Sequence, residues 1–338
     1  MNKQRSYKGY MLAGILIVLA VVFIISTVKL QQQGQVLNNS DMEASGSLVG
    51  KPGLGEAPGQ VSEQDEISLE KGQNQPQEGE SESPYLLDHL PFQEEDVKSV
   101  FVIRGGEKRE IPYERLYVVM QSLRFTDMQA AVTEPAEPAG RVVIQFILDD
   151  EQLMDIPYNL ENNAFEAAGK AYYADDQVLL LMHGLLKPES ELGQFDALEE
   201  RARLEAEGQA DSSEPAGIER EQIAVDGQIY IDWEKRLAAE TADWKMPYYD
   251  YAIGEVREIR KFKEGILELN NKIVFSGISH ETSGGVKVGL TAAEVSKKLD
   301  ADARKLPSKW SYKSGDYFRF HLYFEGSEVK YMVLSQPL

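Results

Sequence analysis

The spacing of hydrophobic positions changes repeatedly along the 338-residue chain, and each change marks a different kind of segment. From Gly9 to Val28 no charged residue interrupts the sequence, and Met11–Val28 reads MLAGILIVLAVVFIISTV. At about 1.5 Å of rise per residue, such a helix crosses a hydrocarbon core of roughly 30 Å with little tilt. Its Leu, Ile, Val and Phe side chains contribute about −5 kcal/mol on the insertion scale. The pattern predicts a transmembrane helix at residues 10–28. The run exceeds the roughly 7–15 apolar residues of a cleaved leader, and Ser26-Thr27-Val28-Lys29 offers no small-x-small site, so it reads as a retained signal-anchor.

Past the anchor, residues 29–84 lose all periodicity and are built from Gly, Pro, Gln, Glu and Ser. Such a composition buries too little apolar surface to offset its ordering entropy, which predicts a disordered acidic stalk. A flexible chain of that length reaches roughly 40–50 Å.

Periodicity returns at 85–193, the first predicted α+β domain. Val100–Ile103 and Lys108–Ile111 flank Gly105-Gly106 as a hairpin. Tyr113, Leu116, Tyr117, Met120 and Leu123 then follow at helical spacing after Pro112. A second hairpin joins 141–148 to 153–158 across Asp149-Asp150-Glu151-Gln152, and Asp175 stands where it caps a helix carrying Val178, Leu179, Leu181, Met182 and Leu185. Residues 194–221 read as an acidic linker entered through a frayed helix.

The second predicted α+β domain, 222–338, opens with Ile223-Ala-Val-Asp226-Gly227-Gln-Ile229, a hairpin signal. A further hairpin turns at Asn270-Asn271, and Leu290-Thr291-Ala-Ala-Glu294-Val295 combines a capping box with a hydrophobic staple. Three strands close the chain at 310–313, 317–324 and 329–334. Strict alternation puts Phe318, Phe320, Leu322 and Phe324 on one face and Tyr317, Arg319, His321 and Tyr323 on the other. The fold class expected is therefore α+β, with antiparallel meander sheets.

Charge refines the picture. The net charge of −21 divides as +4 for residues 1–37, −12 for 38–96, −5 for 97–188, −8 for 189–221 and zero beyond. Lys3, Arg5 and Lys8 precede the apolar span while its far side is acidic, which places a cytoplasmic stub at 1–9 and the bulk of the chain outside the cell membrane. The acidic balance argues against a nucleic-acid partner, since such proteins carry basic stripes. The absence of cysteine excludes disulfides and thiolate chemistry.

Residues 285–334 bring together Gly285-Val-Lys-Val-Gly-Leu-Thr-Ala-Ala-Glu-Val, Trp310-Ser-Tyr312, Phe320-His-Leu-Tyr-Phe324-Glu-Gly326 and Val329. This stretch resembles the repeat unit of the β-lactamase-inhibitory-protein and BamE-like envelope modules. The resemblance implies a capped helix followed by a three-stranded meander that binds a protein partner without catalysis. It departs from that family's pattern after the helix, where Asp300-Ala-Asp-Ala replaces Gly-x-Pro.

Candidate chemistry is sparse. Tyr317, Arg319, His321 and Tyr323 form a candidate partner-binding face, because Tyr and Arg are enriched among interface hot spots. Trp244, Tyr248 and Tyr249 are candidates for stacking on the sugar rings of a cell-wall polymer. Ser279-His280-Glu281 holds triad residue types, but neighbours in sequence rarely converge on one atom, so it reads as a loop. Asp149-Asp150-Glu151 and Asp175-Asp176 lack the Asp-x-Asp-x-Asp-Gly arrangement of a calcium loop, and no catalytic residue, metal site or cofactor is assigned. The expectation is a membrane-anchored extracytoplasmic protein that binds, scaffolds or regulates an envelope partner. The alternatives are a wall-acting enzyme using converging carboxylates, or a sensor holding a small ligand at the domain junction.

Overall fold

A computed structural model of the protein describes residues 83–135, 140–209, 215, 217–299 and 303–336. The stub, the predicted transmembrane helix at 10–28 and the stalk as far as residue 82 lie outside the described residues. Among the described residues no helix is long and apolar enough to cross a membrane.

The first antiparallel sheet contains β1 (Val97–Arg104), β2 (Glu107–Glu110), β3 (Val132–Thr133), β4 (Arg141–Leu148), β5 (Leu153–Asn159), β6 (Ala164–Ala167) and β7 (Lys170–Tyr173), in the order β2-β1-β4-β5-β6-β7-β3. Its turns follow local chemistry. Arg104 pairs with Glu107 across Gly105 (φ 57°) and Gly106 (φ 87°), two left-handed positions that glycine occupies without a Cβ clash. The unanticipated β6–β7 hairpin turns in the same way at Ala168 and Gly169.

Three helices serve this half: α1 (Leu116–Phe125), α2 (Asp176–Leu186) and α3 (Glu191–Glu207). A single 3-10 turn at Tyr113–Arg115 precedes α1, so the buried stripe becomes Val118, Val119, Met120 and Leu123, while Tyr113 and Tyr117 are exposed. Asp175 caps α2 as expected, accepting from the Val178 N–H at 2.8 Å.

The second antiparallel sheet holds β8 (Trp244–Asp250), β9 (Glu255–Phe262), β10 (Ile266–Leu269), β11 (Lys272–Phe275), β12 (Arg304–Lys305), β13 (Lys309–Ser314), β14 (Phe318–Glu325) and β15 (Glu328–Ser335), ordered β12-β13-β14-β15-β11-β10-β9-β8. The Asn270-Asn271 hairpin and the C-terminal meander both form, with Leu269 opposite Lys272 and Tyr312 opposite Phe320. α6 (Ala292–Lys298) starts at the predicted capping box, with the Thr291 N–H donating to Glu294 at 2.8 Å.

Asp226-Gly227 does form a tight turn, with reciprocal Val225–Gln228 bonds of 2.9 Å, but no strands extend from it. The turn lies between α4 (Arg220–Ile223) and α5 (Tyr230–Ala239). Tyr230, Trp233 and Leu237 recur at helical spacing and are buried, and the Trp233 indole donates to the Val225 carbonyl at 3.0 Å. Tertiary burial of that stripe overrides the hairpin propensity.

One further expectation is corrected. The segment read as a linker from residue 194 is largely α3, whose Leu192, Phe195, Leu198 and Ala202 are buried. The described residues belong to one compact unit, Glu78–Leu338. A single apolar cluster runs from Val119, Phe146 and Leu179 of the first half through Phe195 to Met246, Leu267, Tyr323 and Val333 of the second sheet. The opposite face of that sheet forms another cluster with Trp233 of α5 and Val295 of α6.

Candidate functional site

The two sets of residues singled out in the sequence are largely structural. α3 lies against β14, and Phe195 packs edge-on to Tyr323 and Tyr331 with centroids 5.5 and 5.4 Å apart. Tyr323 is therefore buried, and its hydroxyl donates to Glu199 at 3.0 Å. His321 is half-buried between the Ser311 and Ser335 hydroxyls at 2.9 and 3.3 Å. Burial, followed by the fields of Lys309, Lys272 and Arg319, pushes its imidazole well below the usual range. Arg319 folds back on the Asp316 and Phe318 carbonyls, and Tyr317 alone of the four is fully open. Alternation did place these residues on one face, but α3 covers Tyr323 there, so the four do not form one continuous free surface.

The aromatic segment is strand β8. Tyr248 and Tyr249 are buried, which removes them as stacking platforms, whereas Trp244 is half-buried at the edge of the core. His280 is a core residue between Trp233 and Phe275, with Nδ1 2.7 Å from Asp226. Glu151 pairs with Lys98 at a hairpin tip, and Asp175 is occupied as a cap. Among the described residues no cluster of His, Asp or Glu is arranged to hold a metal.

Of the clefts that adjoin α3, two gather chemistry-bearing side chains from several elements. The first, about 450 Å³, opens at its N-terminus between the two sheets. Leu192, Met246 and Leu267 give it apolar walls, Trp244 gives it a ring, and His183, Lys187 and Lys261 are among its polar groups. α2 and α3 meet closely here because residue 193 is glycine; a Cβ would stand 2.5 Å from the Lys187 carbonyl oxygen. Ser190 caps α3 through the Gly193 N–H at 3.1 Å and donates its hydroxyl hydrogen to the Lys187 carbonyl at 2.7 Å.

His183 Nδ1 lies 3.0 Å from the same Ser190 oxygen, whose only hydrogen is already placed. The ring nitrogen must then be the donor, which fixes the Nδ1–H tautomer and leaves Nε2 as an acceptor. Burial, aided by Lys187, lowers the His183 pKa to about 4, so this neutral form prevails at physiological pH. Glu191 is engaged by Lys261 at 2.5 Å and by the Ser276 hydroxyl at 2.6 Å.

The second cleft, about 320 Å³, lies along the body of α3 and is lined by charge. Asp196 accepts two bonds from Arg115 at 2.8 and 2.6 Å, and Glu200 takes Arg203 at 2.8 and 2.9 Å. Glu199 takes the Lys272 ammonium at 2.7 and 2.9 Å. Burial alone would raise the Glu199 carboxyl, but Lys272 and Lys309 and the bonds from Lys272 and Tyr323 outweigh it and hold it below the ordinary range. All three carboxylates are thus occupied; Glu199 and Glu200 are held below the ordinary range, whereas burial raises Asp196 despite Arg115.

Sequence reasoning reached Trp244 through its aromatic neighbours but missed His183, Lys309 and Arg304. A lone His in an apolar helical run carries no local signal, and the cations converge only through tertiary packing. Comparison with family models, curated proteins and solved structures finds no match to this chain.

Proposed function

We propose that this chain is a membrane-anchored, extracytoplasmic binding protein, non-catalytic, whose ligand is a small hydroxylated ring compound of the cell-wall sugar class. The observation that carries the reading is the Trp244 cleft, which joins an aromatic wall and apolar side chains to a neutral imidazole acceptor. A sugar ring presents an apolar face to an indole and hydroxyl donors to His183 Nε2. The 10–28 anchor supplies the location, with the amino terminus cytoplasmic. On this reading the ligand sits at the junction of the two sheets rather than across the β14 face.

The wall-acting enzyme is the weaker alternative. A glycosidase needs one carboxyl group free to donate a proton, whereas Asp196, Glu199 and Glu200 are each tied to a cation. Isothermal titration with soluble disaccharide fragments of wall glycan tests the proposal. Saturable 1:1 binding, weakened at least tenfold by Trp244→Ala and by His183→Phe, is the expected result. Binding that neither substitution weakens, or none at millimolar ligand, refutes it.

A further inference from the structure

The charge-lined cleft carries a second, independent inference. Its three carboxylates are consumed by Arg115, Lys272 and Arg203, which leaves two cations from the β12–β13 edge, Arg304 and Lys309. Among the described residues neither forms an ion pair. Arg304 Nε is buried with no acceptor, and the Lys309 ammonium stands over the Tyr323 ring, 4.9 Å from its centroid. A buried charged donor without an acceptor is costly, and a half-buried ammonium with no ion pair beside it adds to that cost unless something else supplies the counter-charge.

We propose that this cleft is a binding site for a small oxyanion, a carboxylate or phosphate group seated between the Lys309 ammonium and the Arg304 guanidinium. A volume of about 320 Å³ admits a compact acid rather than a polymer. Arg304 offers a planar fork and Lys309 a point charge, a pairing that suits a multidentate anion. The electrostatic surroundings agree with this assignment. Burial, with Lys272 and Arg304 nearby, lowers the Lys309 pKa to about 8 despite the opposing field of Glu199, so the ammonium lacks full compensation. An incoming anion raises that pKa again. The site does not depend on the Trp244 cleft.

The test uses the full chain in detergent micelles at constant chloride. Inorganic phosphate and succinate are titrated separately, with calorimetry and thermal midpoint as readouts. At least one probe binds 1:1 and raises the midpoint; Lys309→Met and Arg304→Gln each weaken it tenfold or more, and Trp244→Ala leaves it unchanged. The relative affinities of the two probes tell phosphate from carboxylate. With neither phosphate nor succinate added, Lys309→Met melts at or above the wild type, because a charge without a partner has been removed. Failure of both probes, binding that survives both substitutions, or a Lys309→Met protein that melts lower without anion would each overturn the assignment.

Discussion

Asp175→Asn isolates a large acid–base strain in the fold. Asp175 caps α2 and is buried, and burial, reinforced by the neighbouring Asp176 charge, raises its carboxyl pKa from 3.8 to about 8 despite the bond from the Val178 N–H. The folded-state value is the higher one, so folding favours the proton. That contribution is complete below pH 3.8 and is lost as pH rises toward 8. From pH 5 to pH 8 the unfolded chain is already ionised, and each pH unit withdraws about 1.4 kcal/mol until the folded group titrates, roughly 3.5 kcal/mol in all. Asparagine keeps the capping oxygen but cannot ionise. The assay is urea denaturation of the portion from Glu78 onward, at half-unit steps from pH 5 to 8. His183, lowered to about 4, titrates in both proteins and cancels in the difference, whereas Asp176, raised to about 6 by burial, is coupled to Asp175, so the difference reports the pair. The variant should gain on the wild type by about 3.5 kcal/mol across the range. A difference that stays within about 0.5 kcal/mol would show Asp175 already ionised at pH 5 and refute the burial argument.

Other perturbations address the contacts of α3. In Gly184→Ala the new Cβ meets Asp196 Oδ2 at 2.1 Å, so the Arg115–Asp196 pair is displaced. Denaturant midpoints should register a loss of about 3 kcal/mol, as for other broken buried pairs. Lys272→Met leaves Glu199 without its cation and should cost about 2 kcal/mol, given that the two side chains remain 29% and 20% exposed. Adding Glu199→Gln should recover most of that loss in a double-mutant cycle. Phe195→Ala opens a void between Tyr323 and Tyr331 and should cost roughly 3–5 kcal/mol, measured by chemical denaturation.

How much of this was legible depended on how local the cause was. The Gly105-Gly106 and Asn270-Asn271 turns, the Asp175 cap and the Thr291–Glu294 box are each set by a few adjacent residues, and they form where the sequence places them. Asp226-Gly227 shows the limit of that reasoning. Its turn forms as local chemistry dictates, yet the flanking residues become helix because Tyr230, Trp233 and Leu237 gain more from burial together. The β14 alternation likewise assigned faces correctly but not what covers them. Phe320 and Leu322 face the cluster with Trp233, and Tyr323 faces α3, so neither side of the strand is wet. A sheet buried on both faces still alternates when one cover is apolar and the other carries charged partners.

α3 shows why the site itself was hidden. Its acidity made 194–221 read as a solvated connector, since runs of Glu usually lie in water. Its Leu192, Phe195, Leu198 and Ala202 nevertheless form a buried stripe, and the acids beside that stripe point at cations from elsewhere in the chain. Asp196 meets Arg115, 81 residues away, and Glu199 meets Lys272, 73 residues away. An acidic helix becomes an interior element only when such cations are delivered to it, and delivery is a property of the topology rather than of any window of sequence. The same delivery leaves a surplus. With the Asp196 and Glu199 carboxylates matched by Arg115 and Lys272, the further cations Arg304 and Lys309 remain, held by a strand edge where α3 has no carboxylate left to offer. Burying α3 and creating an anion-binding surplus are two outcomes of one packing arrangement. Substitutions that loosen α3 should therefore weaken oxyanion binding even where they touch neither Arg304 nor Lys309.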